Sequence, residues 1–245
     1  MRAVSVLRAL GPIDLKSVRR DSLLRWMFVM PVLIALLFRY GLPPFAAWLE
    51  GRHGVALAPY SALIASFLVM ITPMLYGTVI GFLLLDQKDD RTLTALQVTP
   101  LTTGGYLLYR MGTPSLLSIA MTLLVLQASG LVTIDFKRQL WVAVAAAPLA
   151  PAFALFLAAF ARNKVQGFAL MKAAGVINWP PMIAYFVHSK WQWAFGLCPT
   201  YWQAKLYWEL EAGGPNAWPI FVIGIAYIGL VTAWLLRRFD RAMHR

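Results

Sequence analysis

Ten carboxylates, three histidines and one cysteine are the side chains of this 245-residue chain from which acid–base, metal or thiol chemistry could be assembled. His53, His188 and Cys198 stand far apart, whereas tetrahedral nitrogen and sulfur sites use closely spaced ligand pairs, so no metal centre is expected. No Ser–His pair is placed for hydrolysis within an apolar run, and no paired aspartates are placed there for headgroup transfer, which argues against an intramembrane enzyme. Asp14, Asp21, Glu50, Asp86, Asp89, Asp90, Asp135, Glu209, Glu211 and Asp240 all fall outside the long apolar runs or at their edges. Carriers driven by protons or sodium keep ionisable or unwound sites near the membrane midplane, so that class is disfavoured. The phosphate loop G-x-x-x-x-G-K-[ST] does not occur, and Gly104-Gly105 lacks the lysine and hydroxyl that cradle phosphates and magnesium. No cofactor is expected on this chain, and ATP, if used, must bind another polypeptide.

The densest acidic cluster reads as a contact surface. In the segment 86–100, Asp86, Asp89 and Asp90 put negative charge at the start of a short helix, where the helix dipole favours it. Leu93 and Leu96 share one face at i, i+3 spacing, Arg91 and Thr92 precede them, and Thr99-Pro100 ends the turn. A solvated connection has no need of those leucines. Apolar residues beside a charged rim are what a docking helix presents to a groove on a partner.

The elements that position this segment are membrane spans. Residues 61–85, 111–134, 139–161 and 212–236 contain no charged residue or histidine, and about 20 apolar residues suffice for a helix to cross a hydrocarbon core of roughly 30 Å. Residues 22–42 and 167–187 also cross once Arg25, Arg39 and Lys172 snorkel to the interface. The expectation is one all-α membrane domain over 1–245, with spans near 22–42, 61–85, 106–132, 139–161, 167–187 and 218–236. The 60% hydrophobic composition agrees. The formal net charge of +12 gathers at span ends instead of forming a basic face, so no nucleic-acid partner is expected. Arg2, Arg8, Lys16, Arg19, Arg20, Lys88, Arg91, Arg162, Lys164, Arg237, Arg238, Arg241 and Arg245 fall on one side, against Arg52, Lys137, Arg138, Lys190 and Lys205 on the other. The positive-inside rule therefore places both termini in the cytoplasm of a plasma-membrane protein, with 86–100 on the same side. No removable signal peptide is read at the N-terminus.

Three segments carry two readings each. Residues 11–21, with Pro12 in a first turn and Ile13, Leu15 and Val18 among basic residues, form either a helix along the inner surface or a basic flank. Residues 188–218, rich in Trp and Tyr, form either a helix dipping into the outer leaflet, started by Pro199-Thr200 and ended by Gly213-Gly214, or an aromatic belt. Asn178-Trp179-Pro180-Pro181 must bend the fifth span. It either lines a substrate cavity between two subunits, with Asn178, Trp179 and Pro180 facing Tyr76, or marks the outer end of a span.

The acidic cluster, Thr92-Leu93, Leu96 and Thr99-Pro100 together resemble the segment after the second span of ABC type-2 permeases, the membrane subunits of ATP-binding-cassette exporters. The six spans, the N-terminal surface helix, Asn163-Lys164-Val165-Gln166-Gly167 before the fifth span and the outer helices before the sixth resemble the same family, on its bacterial drug-export branch. The resemblance implies that 86–100 is a coupling helix docking on separate ABC ATPase subunits that hold ATP and magnesium. It also implies a homo- or heterodimer of permease chains in lipid, and an amphipathic or hydrophobic small-molecule substrate. Arg91 stands where many relatives have glycine, which implies a dedicated ATPase. The competing class is a membrane scaffold without transport.

The topology has a direct test. In a Cys198→Ser background, cysteines replacing Ser5 or Asp240 stay unlabelled by an impermeant maleimide in intact cells, while one replacing Lys190 reacts. Labelling at Ser5 or Asp240 without permeabilisation overturns the assignment.

Overall fold

The computed structural model describes residues 3–89 and 103–243, with side chains described for 11–88 and 109–239, and these residues hold helices and no strand. The helices are α1 Ala3–Arg20, α2 Ser22–His53, α3 Ser61–Asp89, α4 Thr103–Ser129, α5 Phe136–Ala146, α6 Leu149–Phe160, α7 Lys164–Ala174, α8 Trp179–Ala184, α9 Tyr201–Glu211 and α10 Ala217–Met243. Short 3₁₀ turns occupy Ala58–Tyr60, Gly175–Asn178 and Lys190–Leu197.

Five stretches among the described residues are long and apolar enough to cross a bilayer: Ser22–His53, Ala58–Lys88, Tyr109–Ser129, Phe136–Phe160 and Ala217–Phe239. The fifth expected span, 167–187, is not one of them. It is built in three pieces, α7, the turn Gly175–Asn178 and α8, because Pro180 and Pro181 supply no amide donors to the turn before them. The fourth is jointed too, between α5 and α6 at Ala147-Pro148. The first runs past the expected limit at 42, through Pro43 and Pro44, until Gly54 with φ of 68° caps it on the Glu50 carbonyl. Gly130, also at φ 68°, follows the end of α4 before the expected limit at 132.

Burial ranks the helices. The most apolar window of α3 is 89% buried, against 22% for α2 and 28% each for α4 and α10, so α3 is the axis and the others face outward. Their exposed apolar side chains, Leu37, Leu116 and Leu230 among them, suit lipid or a second chain. Polar groups on α3 are satisfied locally: Thr72 Oγ1 donates to the Leu68 carbonyl at 2.7 Å and Thr78 Oγ1 to that of Met74 at 2.8 Å.

The axis is held by small residues. A Cβ on Gly77 would lie 3.1 Å from Ala150 Cα and overlap the Ala150 carbonyl oxygen, and one on Gly81 would lie 3.0 Å from Leu157 Cδ1. Gly77 and Gly81 form a G-x-x-x-G stripe on α3 that receives the alanine-rich α5–α6 pair, including buried Ala143, Ala146, Ala150, Ala154 and Ala158. Close backbone approach of this kind drives helix association in lipid, where no hydrophobic gain separates helix from hydrocarbon.

Gly77→Ala is expected to cost about 1–3 kcal/mol by overpacking. Gly229→Ala, whose added methyl group meets nothing within 4 Å, stays within about 1 kcal/mol of the parent or gains stability. Thermal unfolding in detergent checks this, and equal effects contradict the close approach.

Candidate functional site

At the end of the bundle where α3 finishes, three segments far apart in sequence meet on one ammonium group. Lys164 Nζ lies 2.7 Å from Asp21 Oδ2 and 2.8 Å from Asp86 Oδ2. Asp21 caps α2, its Oδ1 accepting from the amides of Leu23 at 2.9 Å and Leu24 at 3.2 Å. Asp86 sits in the last turn of α3, and Lys164 is the first residue of α7. Asn163 caps α7 by accepting from the Gln166 amide at 3.0 Å, and Gln166 Oε1 accepts from the Arg162 amide at 2.9 Å, a reciprocal arrangement that fixes the entry angle of the chain. Gly167 lets α7 press on α3, since a Cβ there would sit 2.7 Å from Leu85 Cδ1 and 2.8 Å from Phe82 Cε1. The Asn-Lys-Val-Gln-Gly sequence thus clamps the base of the 86–100 segment to α2 and α7. Of the residues expected to couple to the ATPase, Asp86 is the one whose side chain is described. The side chain of Asp89 and residues 90–100, with Asp90, Arg91, Thr92, Leu93, Leu96, Thr99 and Pro100, lie outside the described residues.

The clamp is held by charge. Burial raises the Asp21 carboxyl, but the hydrogen bond from Lys164, the Leu24 and Leu23 amides and the Lys164 charge outweigh it and hold the group below its ordinary 3.8. Burial likewise lowers the Lys164 ammonium, and hydrogen bonds to Asp21 and Asp86 carry it above 10.5.

A second ion pair ties α1 to the bundle. Arg110 Nη1 donates to Asp14 Oδ2 at 2.8 Å and Nη2 to Oδ1 at 3.2 Å, and the Tyr109 hydroxyl donates to Oδ2 at 2.8 Å. Asp14 and Arg110 are 9% and 4% exposed. A cavity of about 520 Å³ opens beside this pair between α1, α2, α3 and α4, and Tyr76 is among its lining residues. The Tyr76 hydroxyl donates to the Phe28 carbonyl at 2.9 Å, with the two rings edge to face at 5.2 Å.

The Asn178–Pro180 bend goes elsewhere. Asn178 is buried, with no hydrogen-bond partner for its Oδ1 among the described residues, and Trp179 is exposed. Ile177, just before it, borders a smaller apolar cavity of about 170 Å³ with Met74, Phe153, Phe156 and Trp234. Tyr76 and Ile177, the residue before the bend, therefore border different cavities within one chain. At the opposite end of the bundle, Thr133 donates to Glu211 at 2.7 Å, Arg138 to the Leu210 carbonyl at 2.8 Å and Tyr185 to the Pro59 carbonyl at 3.1 Å. The aromatic segment divides: on α9 Tyr201, Tyr207 and Trp208 are buried, Trp208 Nε1 donating to Ser66 on α3 at 3.0 Å, while Trp191 and Trp193 are exposed.

A family model described as "Fluoroquinolones export permease protein Rv2686c-like" matches residues 14–236, nearly the whole bundle. The chain belongs to the Rv2686c-like fluoroquinolone export permease family. Its relatives include the proteins named fluoroquinolones export permease protein Rv2686c, from Mycobacterium tuberculosis strain ATCC 25618 / H37Rv, and MT2760, from strain CDC 1551 / Oshkosh. Each is 34% identical over 257 aligned positions that cover 100% of both chains. This member of the Rv2686c-like family is thus a multi-pass membrane permease of the export type.

Residue-by-residue reasoning missed the Asp14–Arg110 pair and the Lys164 clamp. The signals were present: Arg110 lies inside the expected third span, where a cation needs a partner, and Asp14 is the acidic residue of the amphipathic stretch 11–20.

Lys164→Gln removes the clamp's cation, an effect of roughly 1 kcal/mol for partly exposed groups. Since Asp21 stays ionised above 3.8 and Lys164 charged below 10.5, the stability gap between parent and variant is equal at pH 6 and pH 8. It begins to narrow as pH falls below 3.8 and is lost through the lowered Asp21 value, and it likewise begins to narrow above 10.5 and is lost through the raised Lys164 value. Thermal unfolding in detergent across pH checks this, and a gap that changes between pH 6 and pH 8 contradicts the assignment.

Proposed function

We propose that this chain is the membrane-spanning permease subunit of an ATP-binding-cassette exporter that moves amphipathic small molecules, fluoroquinolone-like compounds among them, with energy from a separate ATPase. The observation that carries the reading is the end-to-end match to proteins named export permeases, in a chain whose sequence holds no phosphate loop. The six-span topology is part of the proposal. It counts the jointed stretch 164–184 as a crossing beside the five continuous ones, and the side-chain contacts support it. Residues 21, 86 and 164 meet at one end, and 59, 133, 138, 185, 210 and 211 at the other, as six crossings with cytoplasmic termini require.

In this reading the permease pairs with a second copy or a similar chain in the plasma membrane, and 86–100 docks on the ATPase. ATP and magnesium bind the ATPase and favour one arrangement of the paired membrane domains over the other. Leu93 and Leu96 fill a groove on the ATPase, and Asp89 and Asp90 meet basic residues at its rim. The Lys164 clamp carries displacement of that segment to α2 and α7 instead of letting the last turn of α3 bend alone. Asn178, Trp179, Pro180 and Tyr76 contribute to the substrate path.

Leu93→Glu with Leu96→Glu is expected to abolish ATPase co-purification and drug export while membrane insertion persists, since buried apolar anchors contribute about 2 kcal/mol or more each. Charge reversal at Asp90 gives a milder, salt-sensitive defect. Normal co-purification and export by the double variant would remove the docking role.

A further inference from the structure

The cavity of about 520 Å³ beside α1 has an apolar interior and a positive rim. Leu15, Val18, Phe28, Val79, Ile80 and Leu117 form its walls, and Arg19 and Arg25 also border it. Both arginines are exposed, and neither guanidinium forms a hydrogen bond or ion pair among the described residues. Asp14, the acidic side chain lining the cavity, cannot neutralise them, because its two oxygens are taken up by Arg110 and Tyr109. The wall formed by α1 is itself amphipathic: Ile13 and Leu15 are 56% and 61% exposed beside exposed Lys16 and Arg20. A helix of that pattern lies at the boundary between headgroups and acyl chains.

We infer that this cavity is a binding site for an anionic phospholipid, with one acyl chain in the apolar space and the headgroup phosphate held by Arg19 and Arg25. An acyl chain matches walls that carry almost no polar surface, and arginine forks match phosphate oxygens in charge and geometry. Two unbalanced cations also select the sign of the headgroup. A zwitterionic lipid brings its own cation to a site that already has a surplus, whereas an anionic one completes it. Basic pockets between membrane helices on the cytoplasmic side take anionic headgroups for this reason. The occupied site fills the space between α1 and α3 that protein side chains leave open, so a bound lipid becomes part of the packing around Tyr76. The inference rests on the membrane reading of the chain and not on its transport activity.

The test uses the purified full-length chain in detergent, given dioleoyl phosphatidylglycerol or dioleoyl phosphatidylcholine, with retained lipid counted by native mass spectrometry. The parent is expected to retain one phosphatidylglycerol in preference to phosphatidylcholine. Arg19→Gln with Arg25→Gln reduces that preference by about fivefold per arginine, roughly twenty-five-fold together. Lys16→Gln with Arg20→Gln removes the same charge from α1 outside the cavity and leaves the preference nearly intact. Ile80→Phe, which narrows the cavity, lowers retention of both lipids and keeps the headgroup preference of whatever remains. Equal retention of the two lipids by the parent overturns the inference, as does an equal loss in the Lys16/Arg20 pair, which would reduce the effect to surface attraction. Displacement of phosphatidylglycerol by a carboxylate-bearing fluoroquinolone would assign the cavity to export cargo and end the lipid assignment, while leaving the permease reading in place.

Discussion

The contact between Gly77 on α3 and the backbone of Ala150 on α6 is the constraint from which the rest of the bundle follows. Lipid tails are as apolar as leucine, so two membrane helices gain little from burying hydrocarbon against each other and must gain from close packing. Glycine at 77 and 81 and alanines along α5–α6 remove the side chains that would keep the backbones apart. With α3 seated there, its remaining faces receive α2, α4, α7 and α9, while α10 packs on α6 and α9, and the most apolar window of α3 is nine-tenths buried while those of α2, α4 and α10 stay largely open. Those open apolar faces are suited to hydrocarbon.

An axis held this tightly can transmit displacement along its length. Interfaces packed this closely are bistable more readily than they are deformable, so a shift imposed at one end is passed on as a rigid movement. At the end where α3 finishes, Lys164 binds carboxylates from α2 and α3 at once, and Gly167 brings α7 onto Phe82 and Leu85. At the other end, Trp208 of α9 reaches Ser66 near the start of α3. In the proposed exporter, the first contact receives the force from the ATPase and the second carries it to the opposite face.

The features that depend on local physics are legible in the sequence. Apolar runs locate four of the five long spans nearly to their ends, and Pro180-Pro181 mark the bend in the stretch 167–187, which lies outside those five. Gly213, at φ 67°, follows the end of α9 as expected. What depends on which helix faces which was not legible. The extension of α2 through Pro43 and Pro44 to His53 contradicted a boundary drawn from apolarity, because a helix leaving the hydrocarbon can continue wherever its amides are satisfied. The joint at Ala147-Pro148 looked like the interior of a span. Asn163-Lys164-Val165-Gln166-Gly167 could be matched to a family, but its physical roles needed the positions of Asp21, Asp86 and Phe82. Within one chain Tyr76 and Ile177, the residue before Asn178, line different cavities, and a cavity shared between two subunits involves a second chain.

The central claim is that export by this chain is powered from a separate ATPase and not by an ion gradient across the chain itself. Fluoroquinolone accumulation in inside-out membrane vesicles, prepared from cells making the permease with or without its ATPase, tests it most directly. The account predicts accumulation only with both chains and ATP, unaffected by a protonophore. Accumulation by the permease alone, independent of ATP and abolished by the protonophore, would contradict it.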